Sequence, residues 1–343
     1  MSASRLSTPM LLLDGGLGTT LEDEHDITFS ASTPLWSSHL LITSPETLQK
    51  VQADFAEASA NIILTATYQA SLSGFRRTTL DGVPIPDSHA RKYMVSAVDI
   101  ARSAFQGKDG TVALSLGAYG ATMVPSTEYS GEYGSFTEED LVEFHRERLQ
   151  TFNDPATWAK IDVVAFETLP RLNEIRAVRR VIREAPDKPY WISCVFPEPD
   201  VDTLPDGSSI AEAVKAMLED GRPPYLIGIN CTKLNKVPAL VKQFEEAIDK
   251  LGVAFPGLVI YPDGADDKVY DTKRQEWVKQ DAIGMDAIIS WDESMLNILL
   301  DIEKRGRWKN IIVGGCCKTS PAMIAKLKAR VDEALDIKHC AVV

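Results

Sequence analysis

Eight short, uninterrupted apolar runs separated by helical stretches constrain this chain more than any other feature. They cover residues 10–14, 62–67, 112–116, 163–167, 190–195, 225–230, 258–261 and 311–314. A strand with one face on water alternates apolar and polar side chains, whereas a strand buried on both faces is apolar throughout. The runs therefore read as parallel strands. Helix signals lie between them. Ser44 and Pro45 suit an N-cap and a first helical position, where the missing proline N–H is harmless. Thr137 precedes Glu138, Glu139 and Asp140, acids that favour a helix start. Ser320-Pro321 opens the last helix, with Ile324, Leu327, Val331 and Leu335 at three- and four-residue spacing. Eight strand–helix units make the α/β fold a closed (β/α)8, or TIM, barrel. An open doubly wound sheet is the second choice, because Gly15-Gly16-Leu17-Gly18 lacks the dinucleotide-binding spacing. No repeat or linker divides the sequence, so residues 1–343 are expected to form one domain, with 336–343 as a frayed tail.

In such a barrel the C-terminal ends of all strands open onto one face. Asp14 ends the first run, Thr65 and Thr67 the second, Glu167 the fourth, Asn230 and Cys231 the sixth, and Cys316 and Cys317 follow the eighth. Residues from alternate strands share a layer, so the fourth, sixth and eighth can bring Glu167 and the three cysteines together. Adjacent cysteines on a regular strand would point apart, but Gly314-Gly315 allows the backbone to turn. Three converging thiolates form a soft metal site, with zinc the expected ion, and leave its fourth tetrahedral position open to a substrate. The plainer alternative makes Cys231 and one of the pair small buried hydrophobes, and Cys194 is read as core.

None of the histidines (His25, His39, His89, His145, His339) has the spacing of a zinc hydrolase, and His145, within Glu-Phe-His-Arg-Glu, is expected on a helix surface or flank. Zinc bound by three thiolates is a weak Lewis acid, better suited to holding a further thiolate in a nucleophilic state. Asp14 followed by Gly15 and Gly16 is either a tight turn or a site where the carboxylate meets an ammonium and glycine N–H groups meet a carboxylate. Glu167 is either a second ammonium partner or a solvated strand end paired with Arg171. Two long connections, 119–136 and 262–279, would cover the mouth. Tyr119, Glu128, Tyr129 and Tyr133 in the first, together with Trp291, either surround a cationic ligand or merely pack.

A formal net charge of −13 argues against nucleic acid or an anionic membrane as a partner. No apolar stretch reaches bilayer length, and the N-terminus lacks a signal-peptide core. Five cysteines without framework spacing do not suit a disulfide scaffold, so a reducing compartment, the cytoplasm, is expected. Oligomeric state is not legible.

Several segments, taken in order, resemble the homocysteine S-methyltransferase family. They are Asp-Gly-Gly-Leu-Gly-Thr-Thr-Leu-Glu (14–22), Leu-Thr-Ala-Thr-Tyr-Gln-Ala-Ser (64–71), Tyr-Gly-Ala (119–121), Glu-Tyr-Ser-Gly-Glu-Tyr (128–133), Phe-Glu-Thr-Leu-Pro (166–170), Gly-Ile-Asn-Cys-Thr (228–232) and Gly-Gly-Cys-Cys-Lys-Thr-Ser-Pro (314–321). The resemblance implies a zinc-dependent (β/α)8 barrel with Cys231, Cys316 and Cys317 as ligands. It implies that Asp14 and Glu167 contact the homocysteine amino group and that Asn230 neighbours the metal. Thr67 and Gln69 are taken as substrate-facing. Gln69 stands where betaine-using members place tyrosine, which points to S-methylmethionine or S-adenosylmethionine as donor. Two departures stand out. Residues 261–268 replace a shorter Tyr-Pro-Asn-Ser-Gly-Glu segment, and Lys318 stands where arginine is frequent. The rival readings are a betaine-type or selenocysteine methyltransferase and a non-catalytic barrel with structural zinc.

Overall fold

The apolar runs form one parallel ladder. The computed structural model describes residues 8–30, 32–219, 221–265, 268–271, 276–279 and 289–336. Its barrel strands are β1 (Met10–Leu12), β2 (Ile62–Leu64), β3 (Thr111–Gly117), β4 (Val163–Leu169), β5 (Tyr190–Cys194), β6 (Leu226–Asn230), β7 (Gly257–Tyr261) and β8 (Ile311–Val313). They pair in the order β1-β8-β7-β6-β5-β4-β3-β2, and a parallel bridge between Leu13 and Ile62 joins the two ends. The Asp14 N–H donates to the Ile62 carbonyl at 3.1 Å across that seam. The sheet is thus a barrel, and the open-sheet alternative fails.

Burial on both faces explains why the runs do not alternate. One set of strand residues, among them Leu13, Ile62, Ala113, Ala165, Trp191, Val259 and Ile312, packs together inside the barrel. The other set, including Ile63, Leu114, Phe166, Ile192, Ile227 and Ile260, packs beneath the helices. Both sets lose apolar area to solvent, which is the main force holding such a fold together.

Strand limits differ from expectation where the site begins. β1 stops at Leu12 and β2 at Leu64, so Asp14, Thr65 and Thr67 lie just beyond regular structure. β4 instead runs past Glu167 to Leu169, with a register shift after Phe166 and Thr168 at φ 60°. The helix Pro45–Glu57 starts as expected, although the Ser44 side chain makes no capping bond. The helix Glu138–Gln150 carries a reciprocal cap between Thr137 and Asp140. The 262–279 connection is more than a loop, because Lys268–Asp271 pairs antiparallel with Glu276–Lys279. Residues 266–267 and 272–275 of that connection lie outside the described residues, as do 337–343 of the expected tail. Among the described residues no helix is long and apolar enough to cross a membrane.

Candidate functional site

Four close backbone approaches build the mouth of the barrel. The Gly16 N–H donates to the Thr319 carbonyl at 2.9 Å, and the Gly315 N–H to the Asp14 carbonyl at 3.1 Å. A Cβ on Gly15 would stand 2.3 Å from the Thr319 carbonyl oxygen, and one on Gly16 2.6 Å from that of Cys316. Only glycine lets the turn after β1 press this closely against the turn after β8. One expectation changes as a result: the Gly16 N–H is already engaged and is not a donor for a ligand carboxylate.

The same turns collect the sulfurs. Cys231 sits one residue past β6 at φ 46°, while Cys316 and Cys317 lie beyond β8 in a turn. Their Sγ atoms all fall within 4.8 Å of one another, and those of Cys316 and Cys317 are 4.0 Å apart. Cys231 and Cys316 are joined as a disulfide, which departs from the reading of unpaired cysteines. Convergence is the cause: their Cα atoms are 5.5 Å apart, within bridging range. Once reduced, this donor set fits zinc. Tetrahedral ligation with Zn–S of about 2.3 Å sets sulfurs about 3.8 Å apart. Burial pushes the Cys317 thiol up to about 12, and a divalent cation would reverse that shift.

Asn230 organises the cysteine of β6. Its side-chain oxygen accepts from the Thr168 N–H at 2.9 Å, and its Nδ2 donates to Thr168 Oγ1 at 2.7 Å and to Cys231 Sγ at 3.3 Å. The left-handed backbone at Thr168, unusual for a β-branched residue, is held by this pair of bonds.

The two carboxylates line the same cavity, near enough for the charge of Glu167 to act on Asp14. Asp14 Oδ2 accepts from the Leu64 N–H at 2.9 Å, while its buried Oδ1 has no partner. Glu167 Oε1 accepts from Ser115 Oγ at 2.5 Å, and Tyr261 also bonds this carboxylate. Burial raises the Glu167 carboxyl to about 7. Burial, and then the charge of Glu167, raise Asp14 well above the usual carboxylate range. Two buried acids with an unused oxygen form a strong site for a cation that hydrogen-bonds in several directions.

One cavity joins these groups. Asp14, Glu167, Glu128, Cys231, Cys316 and Cys317 line it, with Tyr68, Gln69, Tyr129, Trp36 and Trp277 among the rest. Glu128 is buried with its Oε2 unpartnered, and burial raises its pKa. Gly15, Gly16 and Asn230 line the cavity too. Among the described residues no lysine, arginine or histidine does so.

Other candidates fall elsewhere. Thr67 is buried beneath the mouth and donates to the Ser115 carbonyl at 2.7 Å. The Tyr119 ring stacks on Phe136 at 4.0 Å and meets Tyr133 and Phe144 edge-on. Trp291 starts a helix and donates to the Asp263 carbonyl at 3.2 Å. None of the three lines the cavity. Arg171 bonds Asn173 and the Gly131 carbonyl in place of Glu167. His145, expected on a surface, is fully buried. Sequence reasoning missed Tyr68, Ser115 and Tyr261 as neighbours of the carboxylates. Tyr68 stands between two residues already singled out, and Tyr261 ends an apolar run, so a tyrosine at a strand's last position was the available signal.

Several known proteins are similar to this chain along most of its length. The sequence model of the family described as homocysteine S-methyltransferase matches residues 11–331. Homocysteine S-methyltransferase 2 of Arabidopsis thaliana is 32% identical over 93% of this chain and 92% of its own length. Selenocysteine Se-methyltransferase of Brassica oleracea var. italica is 32% identical, over 93% of this chain and 88% of that one. The metallated form of the homocysteine methyltransferase MmuM from Escherichia coli superposes with a TM-score of 0.71 at 28% identity, covering 94% of this chain and 97% of that one.

Proposed function

This chain belongs to the homocysteine S-methyltransferase family, and from that premise we propose that it moves a methyl group from a sulfonium donor, S-methylmethionine or S-adenosylmethionine, to homocysteine, forming methionine, with zinc held by Cys231, Cys316 and Cys317. The observation that carries the reading is the charge of the cavity: three buried carboxylates and three cysteines, with no cationic side chain lining it among the described residues. A site so built attracts cations. Homocysteine brings one, its ammonium, and a sulfonium donor brings another.

The residues divide the work by position. Asp14 and Glu167 take the homocysteine ammonium, which completes the bonding of the unpartnered Asp14 Oδ1 and favours the ionised form of both acids. Asn230 holds Cys231 in place through its amide. Zinc, when bound, supplies one effect: it lowers the pKa of the substrate thiol, so that a thiolate exists at neutral pH. Glu128, with Tyr68, Tyr129 and Trp36, presents a carboxylate and aromatic faces to the donor cation, the arrangement that suits a sulfonium.

In the transfer the homocysteine sulfur forms a bond to the donor methyl carbon. The donor's carbon–sulfur bond breaks, and its electron pair stays on the donor sulfur. A thiolate and a sulfonium thereby become two neutral thioethers. Charge is cancelled, so a cavity that excludes water and aligns the two sulfurs favours the step without a general base. Three reduced thiols are required, which is why we place the enzyme in the cytoplasm, with small molecules as its partners.

The test is methionine formation from homocysteine with S-methylmethionine, S-adenosylmethionine and betaine in parallel. Turnover with a sulfonium and none with betaine is expected. Turnover with betaine alone, or with no donor, overturns the reading. The equal identity to a selenocysteine Se-methyltransferase makes selenocysteine the second acceptor to assay.

A further inference from the structure

A fully buried polar cluster lies outside the cavity lining, and no step above uses it. Glu174, on the helix Leu172–Val181, is fully buried. Its Oε1 accepts from the Tyr119 N–H at 2.6 Å and pairs with His145 Nε2 at 2.9 Å, while its Oε2 accepts from the Tyr133 hydroxyl at 2.7 Å. Burial lowers the His145 pKa, so a neutral imidazole donates from Nε2. A carboxyl group this deep is costly unless both oxygens are hydrogen-bonded, and the three contacts engage both.

All three donors belong to one stretch of chain. Tyr119 and Tyr133 lie at either end of the connection between β3 and the helix Glu138–Gln150, and His145 lies on that helix. Between the two tyrosines the connection carries Met123, Ser126, Glu128 and Tyr129, all of which line the cavity. It folds back on itself there: the Thr127 N–H donates to the Gly120 carbonyl at 3.0 Å, and a Cβ on Gly120 would stand 2.6 Å from the Glu128 nitrogen. Arg171, just before the helix that carries Glu174, adds a bond to the Gly131 carbonyl at 2.9 Å and lies over the Tyr133 ring. Such a closed surface loop keeps its shape only if its two feet are held.

We propose that Glu174 is a positioning residue for methyl transfer: by gripping Tyr119 and Tyr133 it sets where Glu128 and Tyr129 stand against the donor. Glu174 touches no substrate. This inference rests on the donor reading above, and it separates the two ligands. The homocysteine groups Asp14 and Glu167 come from other elements and have other partners, so loosening the grip moves one subsite and leaves the other.

The test uses the zinc-loaded enzyme with two conservative variants, Glu174→Gln and Tyr133→Phe. The second removes one hydroxyl and keeps the ring, so it decides alone if the first does not fold. The KM for the sulfonium donor is expected to rise roughly tenfold or more, the scale on which small misplacements act. The KM for homocysteine and the bound zinc should change less than about twofold. Hydrogen exchange of residues 119–136 should quicken, while that of β6 and β8 holds. The double variant should lose little beyond Glu174→Gln alone, because both act on one contact. Equal rises in both KM values, or an unchanged donor KM with unchanged exchange, overturn the proposal. A wild type inert toward every sulfonium sinks the donor reading instead, and the exchange rates still decide whether Glu174 holds the loop.

Discussion

Cys316 and Cys317 are neighbours in the chain, yet both point into one cavity with their Sγ atoms 4.0 Å apart. On a strand they would face opposite sides. The chain leaves strand geometry after Val313, and two bonds to the segment after β7 fix the turn. The Cys316 N–H donates to the Pro262 carbonyl, and the Cys317 carbonyl accepts from the Gly264 N–H, each at 2.8 Å. Backbone geometry outside the sheet is therefore what brings both sulfurs to one cavity.

Removing one sulfur should abolish metal retention. Cys317→Ser is expected to weaken zinc binding by more than roughly a hundredfold, read by competition with a chromogenic chelator, and to abolish turnover. Zinc held as tightly as in wild type would rule out this ligand set.

The turn after β1 should tolerate no side chain. In Gly16→Ala the new Cβ meets the Cys316 carbonyl, a backbone atom that cannot swing away. A loss of about 1–3 kcal/mol in denaturant unfolding, together with weaker zinc retention, is the expected outcome. A variant as stable and as zinc-loaded as wild type would contradict the close approach.

Arg148 ties the ends of β2 and β3 from behind. It is buried, and its guanidinium donates to the carbonyls of Gly117, Thr67 and Tyr68 at 2.6, 3.0 and 2.9 Å. Arg148→Met should cost about 1–3 kcal/mol, since the buried Gly117 carbonyl loses its guanidinium donor while those of Thr67 and Tyr68 keep the N–H groups of Ala70 and Gly117. Urea unfolding measures it, and a cost under about 1 kcal/mol would refute the role.

Glu167 should give the zinc-free, reduced protein a distinctive pH response. Its folded pKa of about 7 lies above its ordinary value of 4.5. The folded state therefore binds the proton more tightly than the unfolded chain. That contribution is fully present below the ordinary value and is lost as pH rises through about 7, amounting to about 3 kcal/mol. Glu167→Gln, which cannot titrate, should lose less stability than wild type between pH 5 and pH 7.5. Equal losses would show that Glu167 does not carry the shift.

Much of the architecture was written in local pattern. Continuous apolar runs can be satisfied only by strands covered on both sides, and eight of them with intervening helices leave few closed arrangements. The cysteines, Asp14 and Glu167 were likewise visible as polar groups placed where strands end, and Glu128 and Tyr129 as residues of a long connection expected to cover the mouth. Other features needed the fold. His145, mid-helix among charged neighbours, read as a surface or flank residue, and its buried partner Glu174 is 29 residues away. Tyr119 and Trp291 had the right chemistry and the wrong location, since the facing of a loop residue is set by what packs behind it.

Periodicity and residue type act over a few positions, and they were enough to specify a (β/α)8 barrel and the chemistry gathered at its mouth. Assembly across the chain decided the remainder: that Cys231 comes within bonding distance of Cys316, that the Gly16 N–H is already bonded to Thr319, and that one buried glutamate grips both feet of a loop. Those outcomes depend on contacts between segments tens to hundreds of residues apart, where only closure of the barrel brings partners within reach.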